Sequence, residues 1–232
     1  MQPSQKIRRV VCATKAVTPP LIWTVVRSAV RRCFPAAFAP EPATEQPADY
    51  YDDIYQRSAT YQAHYTKSPY YFLWAIIVNR LLCVGAKSVL DIGCGPGQFA
   101  ELVRDAGIHT YVGLDFSAEA IRRARERCPE FTFSVDNALT SPLVVEPRFD
   151  AVVSMEVLEH IDEDLALVHR IPCGVTCFFT VPNSPDPAHV RTFADAEAVR
   201  ERYGALFQDP RIQCFKRDNA GNVFFIFEGV RA

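Results

Sequence analysis

The stretch "VLDIGCGPGQFA" (89–100) decides the fold. Val89, Leu90 and Ile92 read as a buried strand, and "QFA" opens a helix. Between them Gly93, Gly95 and Gly97 strip the turn of side chains. Such a turn lets backbone approach a ligand and holds that ligand near a helix start. Asp91 is the one charged side chain in the stretch, at the end of an otherwise apolar strand.

Working outward, the same alternation repeats. "TYVGLDF" reads as a strand, "SAEAIRRARERC" as a helix capped by Ser117, and "FTFSVD" and "FDAVVSM" as strands. "DEDLALVHRI" is a short helix, "VTCFFTVP" a strand and "FADAEAVRERYG" the last helix. "RIQCFKR" and "NVFFIFEGV" flank the turn "DNAGN", which predicts an antiparallel pair at the end. Upstream, "YYDDIYQRSATYQAHY" and "PYYFLWAIIVNRLLCV" are helical. Strands alternating with helices predict an α/β fold, a mostly parallel sheet covered on both faces. Ligands bind such sheets beyond the carboxyl ends of the strands, beside the first strand.

The chain of 232 residues carries a net charge of −2, and 49% of it is hydrophobic, a globular composition. Its charge is uneven. Lys6, Arg8, Arg9, Lys15, Arg27, Arg31 and Arg32 precede the first acidic residue, Glu41, so the remainder is acidic and unsuited to nucleic acid. "TPPLIWTVVRSAVRRCF" (18–34) predicts a basic amphipathic helix able to lie on an anionic membrane surface. It is too short and too charged to span a bilayer, which takes ~20 apolar residues. "FAPEPATEQPAD" (38–49) reads as a linker. Residues 1–49 are thus an extension, and residues 50–232 the main domain, opening with a helical lid over 50–85. A cytoplasmic protein, peripheral to the membrane through 18–34, is the expected setting.

Eight cysteines show no CxxC pair. Cys173 and Cys177 have no second pair to complete a zinc set, so no metal is expected, and unpaired thiols point to a reducing compartment.

"GPGQFA" can be read as the dinucleotide pattern G-x-G-x-x-A. Asp91, however, would face a pyrophosphate poorly. The glycines alternate through the whole turn, and no second substrate domain follows. An aminoacyl sulfonium suits these residues better: Asp91 accepts from an ammonium, while N–H groups around Gly93, Cys94, Gly95 and Gly97 receive a carboxylate. Asp115, ending the second strand, can take both ribose hydroxyls, a role shared with nicotinamide cofactors. Phe116 flanks an adenine, and Asp136, ending the third strand, meets its amine, with Asn137 and Ala138 lining the pocket.

With these motifs the chain, over about residues 50–230, resembles the class I S-adenosylmethionine-dependent methyltransferases. The glycine loop is "VLDIGCGPG", the ribose acid "GLDFS" and the fourth-strand segment "FDAVVSMEVLEHI". The resemblance implies a Rossmann-like seven-stranded sheet of order 3-2-1-4-5-7-6 with the seventh strand antiparallel. It places Met155 and Glu156 at the sulfonium. "EVLEHI" and "VPN" are similar to a subgroup that includes quinone O-methyltransferases and enzymes acting on sugars or lipids.

An oxygen acceptor must lose a proton, which a base near neutral pKa assists. His160, after the fourth strand, and His189, in "PDPAHVRTF", are the candidates. Arg191 is placed to hold an anionic acceptor. Seven of the nine tyrosines fall between 50 and 74, and Tyr55, Tyr61, Tyr65 and Tyr70 are expected to line the acceptor pocket. A small-molecule, sugar or lipid-linked acceptor is expected. The rival classes are a non-catalytic methyltransferase-like binding module and an NAD-dependent oxidoreductase.

Overall fold

The structure, a computed structural model, describes residues 43–146 and 148–232. The basic helix expected over 18–34 and most of the linker expected over 38–49 lie outside the described residues. The end of that linker is helical instead, since α1 begins at Ala48 and runs to Arg57.

The single long helix expected over 50–65 is broken. Ser58 takes an extended conformation, a short α2 follows over Ala59–Gln62, and a 3-10 turn spans Tyr65–Lys67. α3, Tyr71–Cys83, completes the helical entry. The main alternation then follows: β1 (Ser88–Ile92), α4 (Gln98–Asp105), β2 (Thr110–Asp115), α5 (Ala118–Arg127), β3 (Thr132–Val135) and β4 (Ala151–Met155). α6 (Asp164–Arg170), β5 (Thr176–Pro182), α7 (Ala196–Tyr203), β6 (Phe207–Lys216) and β7 (Val223–Arg231) close the domain.

These strands form one sheet of order β3-β2-β1-β4-β5-β7-β6. β1 to β5 run parallel, and β7 is antiparallel to both β5 and β6. The terminal hairpin and the seven-stranded order are as expected. Both sheet faces are covered, so strand residues alternate between two cores rather than between core and water. Val89 packs with Leu73, Ile77, Phe99 and Val103 on one face. Its neighbour Leu90 packs with Val152, Leu167, Val168 and Phe179 on the other. The same split sends Phe178 and Phe224 one way and Phe179 and Phe225 the other. Each such side chain, fully buried, contributes roughly 1.5–3 kcal/mol to folding.

The switch point lies between β1 and β4, where chain order leaves the β1-β2-β3 side. Loops from both sides diverge there and leave a crevice at the strand ends. α1 reaches this end of the sheet through Asp52, which accepts from the Ser117 hydroxyl and, at 3.1 Å, from the Glu119 amide at the start of α5. Gln98 at the start of α4 donates to the carbonyls of Thr60 (3.1 Å) and Ala63 (2.8 Å). The helical entry is therefore tied to the two helices that begin beside the glycine turn.

Candidate active site

Beyond the carboxyl ends of β1, β2 and β4 lies a cavity of about 510 Å³. β1 brings Asp91 to it, β2 brings Asp115, and β4 delivers Met155 followed by Glu156.

Asp91 is 1% exposed. Its Oδ2 accepts from the Tyr111 hydroxyl, and its Oδ1 has no partner. Burial pushes the carboxyl up to about 7 against the opposing effect of Tyr111, and the charge of Asp115 adds to the rise. A buried acceptor without a donor is costly, and an ammonium would relieve that cost.

Asp115 accepts from the amide of Gly95 at 3.0 Å and from that of Ser117 at 2.9 Å, one bond to each oxygen. Burial pushes it up to about 6, and these two bonds oppose the rise. Each oxygen keeps a second lone pair for a ligand hydroxyl. Phe116, next along, leaves 37% of its surface open, and Val135 leaves 47%, a bare apolar shelf at the ends of β2 and β3. Asp136, Asn137 and Ala138 border the same cavity.

The glycine turn differs in one respect from expectation. The amides of Gly93 (2.7 Å) and Cys94 (3.1 Å) both donate to the carbonyl of Leu114, that of Gly95 to Asp115, and that of Gly97 to the Cys94 carbonyl at 3.3 Å. The first three bonds hold the turn against β2 and the fourth closes the turn on itself, so all four amides are paired within the protein. Gly93, Cys94 and Gly95 line the cavity; Gly97 does not. Gly97, with φ of 79°, instead serves packing: a Cβ there would stand 2.9 Å from the Cα of Ala124 in α5.

Glu156 leaves β4 with φ of 57°, a left-handed conformation rare outside glycine. Its amide donates to Thr180 Oγ1 at 3.1 Å, and that hydroxyl donates to Glu156 Oε1 at 2.9 Å. The turn Leu158–His160 follows. Burial lowers His160 to about 4, so it is a weaker base at neutral pH than the sequence suggested. His189 meets it edge-on, ring centres 4.6 Å apart, and both line the cavity.

Of the tyrosines expected at the pocket, Tyr55, Tyr61 and Tyr70 line it. Tyr65 does not. Its hydroxyl donates to Asp105 at the exposed end of α4, at 3.0 Å. Arg191 is also elsewhere: it donates to the carbonyls of Leu158, Ile161 and Asp162 and pairs with the fully buried Asp164 at 3.3 Å. It is a brace for the turn that carries His160. Among the described residues the guanidinium that does border the cavity is that of Arg217, which donates to Ser184 Oγ at 3.2 Å. The sequence offered no signal for it, since it sits in the β6–β7 hairpin. Tyr51 and Trp74 also line the cavity and belong to the aromatic block already visible in the sequence.

Strand order, the antiparallel last strand and the crevice over β1 and β4 define the class of fold: it is that of the class I S-adenosylmethionine-dependent methyltransferases. Residues 89–171 match the family described as "Methyltransferase domain". The chain is 31% identical over 126 residues to a ubiquinone biosynthesis O-methyltransferase of Actinobacillus pleuropneumoniae, covering 49% of this chain and 53% of that one. It is 32% identical over 108 residues to a trans-aconitate 2-methyltransferase of Afipia carboxidovorans, covering 45% and 42%. It therefore spans about half the length of these relatives. Among solved structures it superposes on a magnesium protoporphyrin IX methyltransferase from Synechocystis with bound SAM. That match has a TM-score of 0.57 and 19% identity, over 88% of this chain and 96% of that one, a likeness of fold.

Among the described residues no helix is long and apolar enough to cross a membrane.

Proposed function

We propose that this chain is a methyltransferase that takes S-adenosylmethionine as donor and methylates an oxygen of a small-molecule, sugar or lipid-linked acceptor. The single observation that carries the reading is Asp91. Its carboxylate is buried at the switch point with one oxygen unpartnered, and it faces a cavity whose other walls suit an adenosine. A pyrophosphate would meet this charge unfavourably, which weighs against a nicotinamide cofactor.

The residues fit the donor. Asp91 would hold its ammonium, Asp115 its ribose hydroxyls, and Phe116 with Asp136, Asn137 and Ala138 its adenine. Met155 and Glu156 border the position next to the sulfonium. Bound there, the cofactor supplies a methyl group already activated by positive sulfur. The protein's share is alignment of the acceptor and exclusion of water. Tyr51, Tyr55, Tyr61, Tyr70 and Trp74 form an aromatic cover suited to both tasks. His189 is the better-placed candidate base, because burial disfavours protonation of His160. The acidic main domain disfavours nucleic acid as acceptor. The basic segment 18–34 would bring the enzyme to an anionic membrane surface. The same relatives with acceptors as unlike as a quinone precursor and trans-aconitate support the donor more than any particular acceptor.

The test is calorimetry with S-adenosylhomocysteine and NAD, followed by a metabolite and glycan screen with methyl-labelled donor. Micromolar binding of the first and transfer of label support the reading. Binding of NAD alone would overturn it. Binding without transfer would favour the non-catalytic module.

A further inference from the structure

An aminoacyl sulfonium carries an ammonium and a carboxylate on one carbon, and Asp91 suits only the first. The amides of Gly93, Cys94, Gly95 and Gly97 are all bonded within the protein, and Pro96 has none to give. Two tyrosines of the helical entry stand at the same end of the cavity. Tyr55 and Tyr61 both line it, their rings edge-on with centres 5.0 Å apart. The Tyr55 hydroxyl lies 3.5 Å from where a side chain on Gly95 would begin. Neither hydroxyl has a hydrogen-bond partner among the described residues, whereas those of Tyr65, Tyr111 and Tyr203 each donate to a carboxylate. A buried tyrosine hydroxyl ordinarily finds such a partner.

The main chain that carries Tyr61 is held in place from below. α2 is a single turn, so its last carbonyls have no partner inside the helix. Gln98, buried at the start of α4, donates from its side-chain amide to the carbonyls of Thr60 at 3.1 Å and Ala63 at 2.8 Å. Arg127 of α5 donates to the two carbonyls between them, Tyr61 at 3.4 Å and Gln62 at 3.3 Å. The same guanidinium reaches the Pro96 carbonyl of the glycine turn at 3.2 Å and pairs with Glu101 of α4 at 2.7 Å. Every carbonyl from Thr60 to Ala63 is thus tied to the glycine turn or to the helices beside it.

We propose that the hydroxyls of Tyr55 and Tyr61 receive the aminoacyl carboxylate of S-adenosylmethionine, and that Gln98 and Arg127 are positioning residues that set the tyrosines for it. The inference deepens the methyl-transfer reading and rests on it for the identity of the donor. A hydroxyl donating to a carboxylate makes a charge-assisted bond, stronger than one between neutral groups. Burial raises both phenols above their ordinary value, so each stays protonated and able to donate at neutral pH. The two ends of the amino acid are then read from opposite sides, the ammonium by Asp91 of β1 and the carboxylate by the helical entry. Tyr55 and Tyr61 serve the donor rather than the acceptor, and the segment that covers the cavity becomes part of the cofactor site.

The test is calorimetry on the full chain with two probes, S-adenosylhomocysteine and its decarboxylated analogue, an aminopropyl thioether of adenosine that keeps the ammonium and lacks only the carboxylate. Tyr55→Phe and Tyr61→Phe should each weaken S-adenosylhomocysteine binding about tenfold and leave affinity for the analogue unchanged, a split that lost packing would not give. Gln98→Met, which keeps the side chain's length and removes its donors, should weaken the first probe severalfold and spare the second. The phenylalanine variants keep the buried rings, so they carry the test if Gln98→Met fails to fold by circular dichroism. Wild-type affinity for S-adenosylhomocysteine in both phenylalanine variants overturns the proposal and leaves the carboxylate to the amides at the start of α4. An equal loss for both probes also overturns it, because the tyrosines then only pack. If the wild-type chain binds the two probes equally well, the carboxylate is not read; the proposal falls and the methyltransferase reading stands. If it binds neither, both fall.

Discussion

The Tyr111 hydroxyl donates to one oxygen of Asp91, and the other oxygen of that carboxylate is buried with no donor at all. One side of the group is fixed by the protein and the other is left for a ligand. Asp91→Ala is expected to weaken S-adenosylhomocysteine binding at least about a hundredfold, the scale of losing a charge-assisted bond in a dry site. Tyr111→Phe should weaken it far less. Calorimetry on both variants checks this.

The same carboxylates set a pH dependence. Burial raises Asp91 to about 7 and Asp115 to about 6, both above the ordinary 3.8 they have when unfolded. Raised pKa values mean the folded state binds more protons, so their contribution is fully present below about pH 4 and is lost as pH rises through 6 and 7. The ligand-free protein should therefore lose several degrees of Tm between pH 5 and 8. Saturating S-adenosylhomocysteine should recover most of that loss at pH 8, and Asp91→Asn should flatten the ligand-free profile. Differential scanning fluorimetry across pH reads both.

Gly97→Ala tests whether the turn is built for packing as well as for ligand. The left-handed φ and the 2.9 Å approach to Ala124 Cα predict a loss of about 1–3 kcal/mol, since backbone rather than a flexible side chain stands in the way. Urea unfolding should show the loss with an unchanged slope.

Arg191→Ala separates a brace from a substrate clamp. The guanidinium holds three carbonyls of the turn after β4 and pairs with Asp164, which keeps Arg202 and Tyr203 as partners. The expected outcome is a stability loss of about 1–3 kcal/mol. Arg217→Ala should leave stability within about 0.5 kcal/mol, as for most surface substitutions. If the acceptor is anionic, it should raise the KM for that acceptor.

Asp52→Ala should loosen the lid. Asp52 links α1 to Ser117 and Glu119 at the start of α5. Its loss should speed amide exchange across 48–57 and weaken cofactor binding severalfold, while exchange in β1 and β4 stays unchanged. Hydrogen-exchange mass spectrometry measures this directly.

Much of the domain was legible in the chain itself. The strand–glycine–helix stretch, the Ser117 cap and the hairpin turn "DNAGN" are local features, dictated by backbone sterics, propensity and hydrophobic period. They sufficed for the sheet, for the parallel strand ends and for the carboxylates of Asp91 and Asp115 at the crevice. What tertiary structure alone decided was direction and partnership. Nothing local distinguishes Tyr65, turned outward to Asp105, from Tyr61, turned inward. Arg191 reads as a free cation until the buried Asp164 appears beside it, and Arg217 reads as a hairpin residue until the end of β6 carries it to the cavity. The bonds that occupy the amides of Gly93, Cys94 and Gly95 depend on the Leu114 carbonyl and the Asp115 carboxylate at the end of β2. Gln98 likewise meets the carbonyls of Thr60 and Ala63 across 38 and 35 residues of sequence. A carboxylate's or a hydroxyl's lack of a partner is a property of the space around it, which only the folded chain defines.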